Sequence, residues 1–458
     1  MAADDGHNAE RRKTTTASVK VKVVNTSMVA PSNRTETERP ASCPLITFDV
    51  PYITFYYNQK LLLYKTSTDD EEFRGAVERM KEGLAAALDY FYPLAGKIAK
   101  DEDGSLIVDC SGESLVGAEV IDASAEDVSV EELAEGETTE LLQEVVPYTG
   151  IMNLEGLHRP LLAVQFTKLK NGLALGCAFN HAIVDGHSTW HFMTSWADLT
   201  RGPSATISVP PFHDRTKARS TRVKVDLPSS PKAHELADPN GPPKHLVAKV
   251  FSFSEPALSQ LKSQANANLP PESKPFSTFQ SLGAHVWRSV CRARALKPED
   301  ITVFAIFMNC RSRIDPPMPE SYFGNLIQAI FTGTASGLLQ ASPPEFGTGL
   351  LQKVIESHDT KAVNARLDEY EAKPKMFHYT DAGVNTVAVG SSPRFRVYDV
   401  EFGFGRPERV RSGLNNKFDG VMFLYPGRDG GIDAELTLDP EAMKNLERDE
   451  QFLNVAAA

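Results

Sequence analysis

Apolar and polar positions alternate with two periods along this 458-residue chain, one of about two residues and one of three to four. SVKVKVVNTSMVAP alternates like a strand, and LITFDVPYITFYYN reads as one or two more. Over 71–94, Phe73, Val77, Met80, Leu84 and Leu88 recur every three or four residues, which predicts an amphipathic helix ended by Pro93 and Gly96. SLIVDC and AEVID read as short strands, and the acidic run 124–144 as a solvated helix and loop. LLAVQFTKL and LALGCAF, joined across Lys170-Asn171-Gly172, predict a hairpin. Trp190, Met193 and Trp196 then fall at helical spacing, with Asp185 or Ser188 as N-cap and Gly202-Pro203 as the stop. The two tryptophans read as core first and pocket wall second.

Residues 209–243 are rich in Pro, Ser and charge, lack periodicity and read as a crossover linker. Beyond them VAKVFSFS predicts a strand and EPALSQLKSQA a short helix with Pro256 in its first turn. Over 277–296, Ser277 and Gln280 form a capping box, and Phe279, Leu282, Val286 and Val290 line one face of a helix. ITVFAIFM reads as a buried strand. A helix over 350–366 and strands near Val384, Val397, Met422 and Ile432 complete a mixed α/β pattern without internal repeats.

Composition narrows the function classes. The length allows two or three domains with proper cores, and 41% hydrophobic with 24% charged residues is ordinary for a globular protein. A net charge of −12 argues against nucleic acid or an anionic membrane as the main partner. The five cysteines, Cys43, Cys110, Cys177, Cys291 and Cys310, are scattered, with no zinc spacing and no disulfide framework. Residues 1–18 are polar and read as disordered, with no apolar core of a secretion signal. No apolar run approaches the roughly 20 residues a bilayer span needs, so stable membrane insertion is not expected and a cytoplasmic location is the default.

The candidate chemistry lies between the LALGCAF strand and the tryptophan helix. His181 stands there, followed by Asp185 and Gly186. An imidazole titrates near pH 6.5, so at neutral pH it can accept a proton from a hydroxyl or amine. The spacing alone is weak: with 11 histidines in the chain, chance supplies a match in about every other chain of this length. His234 and Asp238 match it too, but in a Pro-rich polar stretch with no strand or apolar helix beside it. There is no GxSxG elbow, Walker loop or HExxH. Gly403 and Gly405 lack the third glycine and the helix of a dinucleotide fingerprint and read as a tight turn. Arg288 and Arg292, four apart on one helix, read mainly as a helix-end complement and solvated surface, with phosphate binding as the sharper alternative.

Three stretches together are more specific. Asn180-His181-Ala182-Ile183-Val184-Asp185-Gly186, Tyr322-Phe323-Gly324-Asn325 and Glu401-Phe402-Gly403-Phe404-Gly405 resemble, in order and separation, the HxxxDG, YFGN and DFGWG signatures of the plant BAHD acyltransferases. The resemblance spans roughly residues 19–452 and is strongest to the family's cuticle branch.

It implies an α/β, two-domain fold like chloramphenicol acetyltransferase, with mixed sheets flanked by helices and an active-site channel between the domains. Residues 19–208 with about 400–424 would form the N-terminal domain, and 244–399 with 425–458 the C-terminal one. His181 would be the general base for direct attack of an acceptor hydroxyl on acyl-CoA, a co-substrate, with no cofactor or metal. Asp185 would be structural, paired with Arg311, and Glu401, Phe402, Gly403, Phe404 and Gly405 would support the channel walls. Ser391 or a backbone N–H would serve the oxyanion, and Arg288, Arg292, Ser252 and Ser277 are candidate coenzyme contacts. Glu401 replaces the motif's Asp, Phe404 its Trp, and Asn180 a frequent His. The implied reaction joins an acyl group to a hydroxy fatty acid for cutin, in a monomer. A hydroxycinnamoyl transferase acting on a phenolic or polyol alcohol is the rival, and a non-catalytic binding or regulatory relative the third reading.

Overall fold

The computed structural model describes residues 21–32, 39–135, 139–227, 245–376, 383–427 and 429–455. The expected disorder of 1–18, the His234/Asp238 pair and residues 228–243 of the expected linker lie outside these residues.

Two six-stranded mixed sheets organise the chain. The first runs, in spatial order, Lys22–Val29, Ala118–Ala125, Leu162–Leu169, Gly172–Phe179, Asn58–Lys65 and Arg409–Ser412. The hairpin closes at the Leu169–Gly172 pair and continues to Leu162 opposite Phe179. All eight residues of Gly172–Phe179 are buried, which explains a continuous apolar run in place of alternation. The second sheet runs Ile327–Ala335, Ile301–Asn309, Thr386–Val389, Val421–Pro426, Ile432–Leu438 and Val247–Phe253. Late in the chain Arg409–Ser412 crosses back to pair with Asn58–Lys65. The return to the second sheet comes at Val421, earlier than the expected boundary near 424. A small sheet of Ser42–Pro44, Leu106–Asp109 and Lys97–Lys100 flanks the first lobe.

The Gly186–Leu199 helix lies against the Asp70–Tyr90 helix, where the Trp196 indole N–H donates to the Met80 carbonyl at 2.8 Å. Gly83 permits the approach, since a Cβ there would stand 2.2 Å from Thr200 Oγ1. Trp190, Phe192, Met193 and Trp196 are buried, each side chain contributing about 1.5–3 kcal/mol by leaving water. In the other lobe the Thr278–Ala293 helix starts at the Ser277/Gln280 capping box and buries Leu282, Val286, Trp287 and Val290.

Four local expectations need correction. LITFDVPYITFYYN forms turns and the Val50–Tyr52 3-10 turn, because the Asp49 carboxylate accepts the Ile46 N–H at 3.0 Å and curls the chain. The expected 350–366 helix is two helices, Pro344–Ser357 and Thr360–Ala372, since Asp359 caps the second. Val397 begins a 3-10 turn rather than a strand. The acidic run is only partly solvated: Val128, Val130, Leu133 and Leu142 bury against Leu61 and Leu63 of the first sheet. The described part of the expected linker is also packed: Phe212 bridges to Tyr322, and Arg215 is fully buried.

Candidate active site

The loop 180–185 leaves the buried Gly172–Phe179 strand and enters the Gly186–Leu199 helix, so both its ends are fixed. Its backbone is satisfied by side chains, one from the loop itself and three from distant segments. Asn153 Oδ1 accepts the His181 N–H at 2.8 Å, and Asn180 Oδ1 accepts the Ala182 N–H at 3.1 Å. The His181 carbonyl accepts from Asn325 Nδ2 at 2.8 Å, and the Ile183 carbonyl from Arg215 Nη2 at 2.8 Å. A loop with its polar groups paired in this way has little freedom to tilt the ring it carries.

Two fully buried ion pairs flank the loop. Asp185 accepts from Arg311 Nη1 at 2.8 Å and Nη2 at 3.1 Å. Its two oxygens also accept the Ser188 N–H at 2.9 Å and the Leu326 N–H at 3.1 Å. Burial alone would push the Asp185 carboxyl up, but Arg311 and these donors hold it below the usual carboxylate range. Arg311 in turn donates to Ser188 Oγ and the Tyr322 carbonyl, both at 3.1 Å. The second pair joins Asp49 to Arg215 at 2.9 Å. Asp49 also accepts the Asn325 N–H at 3.1 Å and its Nδ2 at 3.2 Å. Asn325 thereby ties the lead-in of the Ile327–Ala335 strand to the first lobe.

The His181 ring stacks on Tyr52, centroids 5.0 Å apart and planes 8° from parallel. Its Nδ1 is buried and has no hydrogen-bond partner among the other described residues, as is true of Asn325 Oδ1. Nε2 is the nitrogen left open on this half-buried side chain. Burial pushes the imidazole pKa below 6.5, and the charge of Lys60 acts in the same direction. The Asp185 carboxylate and the Asn325 amide offset part of this by favouring the protonated ring. A neutral imidazole with one open nitrogen can take a proton from a hydroxyl brought to it.

The family model described as Transferase family matches residues 19–453. The chain is 53% identical over 451 residues to the BAHD acyltransferase DCR of Arabidopsis thaliana, covering 95% of this chain and 93% of that one. This chain belongs to the BAHD acyltransferase family. It is therefore an acyltransferase. It is also 33% identical over 395 residues to hydroxycinnamoyl-CoA:5-hydroxyanthranilate N-hydroxycinnamoyltransferase HHT1 of Avena sativa, covering 81% of this chain and 86% of that one. Among solved structures it shares its fold with TRI101 of F. sporotrichioides, complexed with coenzyme A and T-2, at TM-score 0.73 and 22% identity. That match covers 91% of this chain and 99% of that one. Vinorine synthase matches at TM-score 0.72 and 22% identity, over 95% of this chain and 98% of its own. No helix among the described residues is long and apolar enough to cross a membrane.

Within the BAHD signatures, Gly186 lies close against Phe395, where a Cβ would stand 3.0 Å from the ring and press it aside. The Glu401 carboxylate accepts the N–H groups of Gly403 at 2.6 Å and Gly405 at 3.0 Å, so the longer acid still closes the turn. Both glycines have φ near +100°, a left-handed backbone that suits residues without Cβ. Phe402 and Phe404 pack edge-on to Tyr64 at 6.0 and 5.1 Å, and Phe402 also meets Trp196 at 4.9 Å. The Ser391 hydroxyl is buried with no partner among the described residues.

The four candidate coenzyme contacts do not converge. Arg288 donates to the Leu339 and Ser342 carbonyls, and Arg292 pairs with Asp449 at 2.7 Å. These two arginines line a cavity of about 340 Å³ that includes neither His181 nor its loop. Ser252 Oγ donates to Asp433 at 2.6 Å, and Ser277 caps its helix. Sequence reasoning did not single out Asp49, Asn153 or Arg215, and it quoted Asn325 only as part of a motif. Their roles arise from contacts across 28 to 276 positions. The one local signal was Asn325, which closes the YFGN motif.

Proposed function

We propose that this protein is an acyl-CoA-dependent O-acyltransferase in which His181 is the general base. The observation that carries the reading is the fixed imidazole, with Nδ1 buried and Nε2 open. In this step Nε2 takes the hydroxyl proton as the acceptor oxygen bonds to the thioester carbonyl carbon. The tetrahedral intermediate then collapses, the C–S bond breaks, and the thiolate of coenzyme A leaves with the proton returned by the imidazolium. No acyl-enzyme forms. The Ser391 hydroxyl, which has no partner among the described residues, is the donor offered to the developing oxyanion. Asp185 takes no proton, because its carboxylate is fully used in holding Arg311 and two backbone N–H groups.

The fold shared with a TRI101 structure holding coenzyme A supports the donor. For the acceptor, the resemblance to the cuticle branch and the 53% identity to DCR favour a hydroxy fatty acid in cutin formation. The working unit is a cytoplasmic monomer of two lobes, with the channel between them. Purified protein is incubated with aliphatic and aromatic CoA thioesters and with hydroxy fatty acid and phenolic acceptors, while thiol release and product mass are followed. Ester formation on a hydroxy fatty acid is expected. Turnover with hydroxycinnamoyl thioesters alone would favour the rival, and no acceptor-dependent release with any pair would refute the catalytic reading.

A further inference from the structure

Lys60 belongs to the Asn58–Lys65 strand, whose Asn58 lies opposite Phe179, two residues before His181. Its side chain is buried, yet Nζ has one hydrogen bond, to Asn58 Oδ1 at 2.9 Å, and no carboxylate of the described residues in ion-pair contact. The ammonium sits 5.9 Å from the Phe423 ring centroid, which comes from the second sheet. Phe423 also packs against Gly390, the residue before Ser391. The surroundings deepen the imbalance. Glu435 is the buried carboxylate that answers here, and it is already shared by Lys417 at 2.9 Å and Arg411 at 3.5 Å. Three cations thus face one carboxylate at the seam of the two sheets.

Burying a lysine without a counter-ion is unfavourable unless something anionic completes it. The environment reports that cost, since burial, with Lys417 beside it, pushes the ammonium pKa down to about 8. At neutral pH the group is still mostly charged. Nζ is held on the Asn58 side chain, and Asn58 stands opposite Phe179 at the root of the His181 loop, so an anion held by Lys60 would lie beside that loop; the charge of Lys60 lowers the imidazole pKa in keeping with this placement.

We propose that Lys60 is an anion subsite of the active site and binds the free carboxylate of a hydroxy acid acceptor. This rests on the acyltransferase reading above and narrows it: the acceptor enters as a free acid. An acid brings its own counter-ion for a buried cation, whereas an ester or simple alcohol leaves that cation unpaired.

The test compares hydroxyhexadecanoic acids with their methyl esters in wild type, Lys60→Met and Lys60→Arg. Wild type should show a KM for the acid about 10–100-fold below that for the ester, the range for a charge-assisted hydrogen bond in a desolvated site. Lys60→Met should collapse that ratio towards one, and Lys60→Arg should retain most of it. The same acid-to-ester ratio in wild type and Lys60→Met would overturn the proposal. Discrimination appearing only between dicarboxylic and simple acyl-CoA donors would also overturn it by moving the anion to the donor. Should Lys60→Met fail to fold, binding of hexadecanoate against methyl hexadecanoate to wild type, by tryptophan fluorescence, decides. Equal affinities refute the subsite. Hexadecanoate cannot be acylated, so this arm is independent of turnover. Carboxylate-selective binding without transfer to any acceptor would sink the catalytic reading and leave the subsite standing.

Discussion

Replacing Asp185 tests whether its carboxylate supports the site or takes part in the chemistry. Asp185→Ala strands the Arg311 guanidinium in a fully buried position and leaves the N–H groups of Ser188 and Leu326 without their acceptor. Breaking a buried pair on one side costs about 3–5 kcal/mol. The lost helix cap is worth about 1 kcal/mol, overlapping rather than adding in full. At about 2.1 cal/mol/K per residue, 3–5 kcal/mol lowers Tm by about 3–5 °C if the whole chain melts together, or by about 7–12 °C if a lobe of some 200 residues melts alone. Asp185→Asn keeps the cap, since Asn caps as well as Asp, but its amide cannot receive both Arg311 and the Leu326 N–H. It should be the milder variant by about 1 kcal/mol and should retain measurable transfer. Thermal unfolding and steady-state CoA release, measured on the same preparations, give both readouts. A Tm within 1 °C of wild type for Asp185→Ala would refute the structural role. A well-folded Asp185→Asn as inactive as a His181 deletion would show that the carboxylate acts directly.

His181→Ala should lose about 10²–10⁴-fold in kcat/KM, the range for a positioned base, with little change in Tm; a loss under tenfold would remove it from the proton transfer. Asn325→Leu removes a donor to the His181 carbonyl and an amide that favours the protonated ring. Its kcat/KM should fall, and the acidic limb of its pH profile should move to lower pH; an unshifted limb would reduce Asn325 to a packing residue. Because burial already lowers the His181 pKa, wild-type kcat/KM for an uncharged acceptor should be flat from pH 6.5 upwards and fall as pH drops through that lowered value; for an acid acceptor it should also fall as pH rises through the Lys60 pKa of about 8. Arg311→Met leaves the Asp185 charge uncompensated and should move the limb up, whereas Asp185→Asn removes a charge that favours the imidazolium and should move it down. Shifts of the same sign in these two variants would refute the electrostatic account.

Features set by neighbours in the chain were legible in the sequence, and those set by distant contacts were not. The hairpin before His181, the Ser277/Gln280 capping box and the Asp185 cap depend on spacings of a few residues, and each is present. LITFDVPYITFYYN misleads because its apolar residues are buried without pairing as a strand, the turn being dictated by Asp49. The 350–366 periodicity carries across a break that only the Asp359 cap reveals. The strand that carries Lys60 was not read from the sequence, and nothing in Asn58-Gln59-Lys60 ahead of the apolar Leu61-Leu62-Leu63 tells that Glu435 is already taken. The 209–227 stretch has no period because its packing runs through single residues: Phe212 against Tyr322, and Arg215 into Asp49.

The arrangement also explains why an ion pair, rather than an apolar contact of equal volume, sits behind the catalytic loop. A pair of hydrophobic residues would escape the desolvation penalty and could match the pair in stability. It could not accept the Ser188 and Leu326 N–H groups, whose acceptor is the Asp185 carboxylate. Nor could a lone carboxylate do the same work, since an unpaired negative charge four positions from His181 would favour the imidazolium and spoil the base. Arg311 resolves both constraints: it pairs the carboxylate that caps the helix and anchors the second lobe, and burial outweighs the field that this carboxylate still exerts at the ring. The ring's pKa is then governed mainly by burial, with Lys60 a smaller contribution in the same direction, which keeps the ring neutral and able to accept a proton at physiological pH.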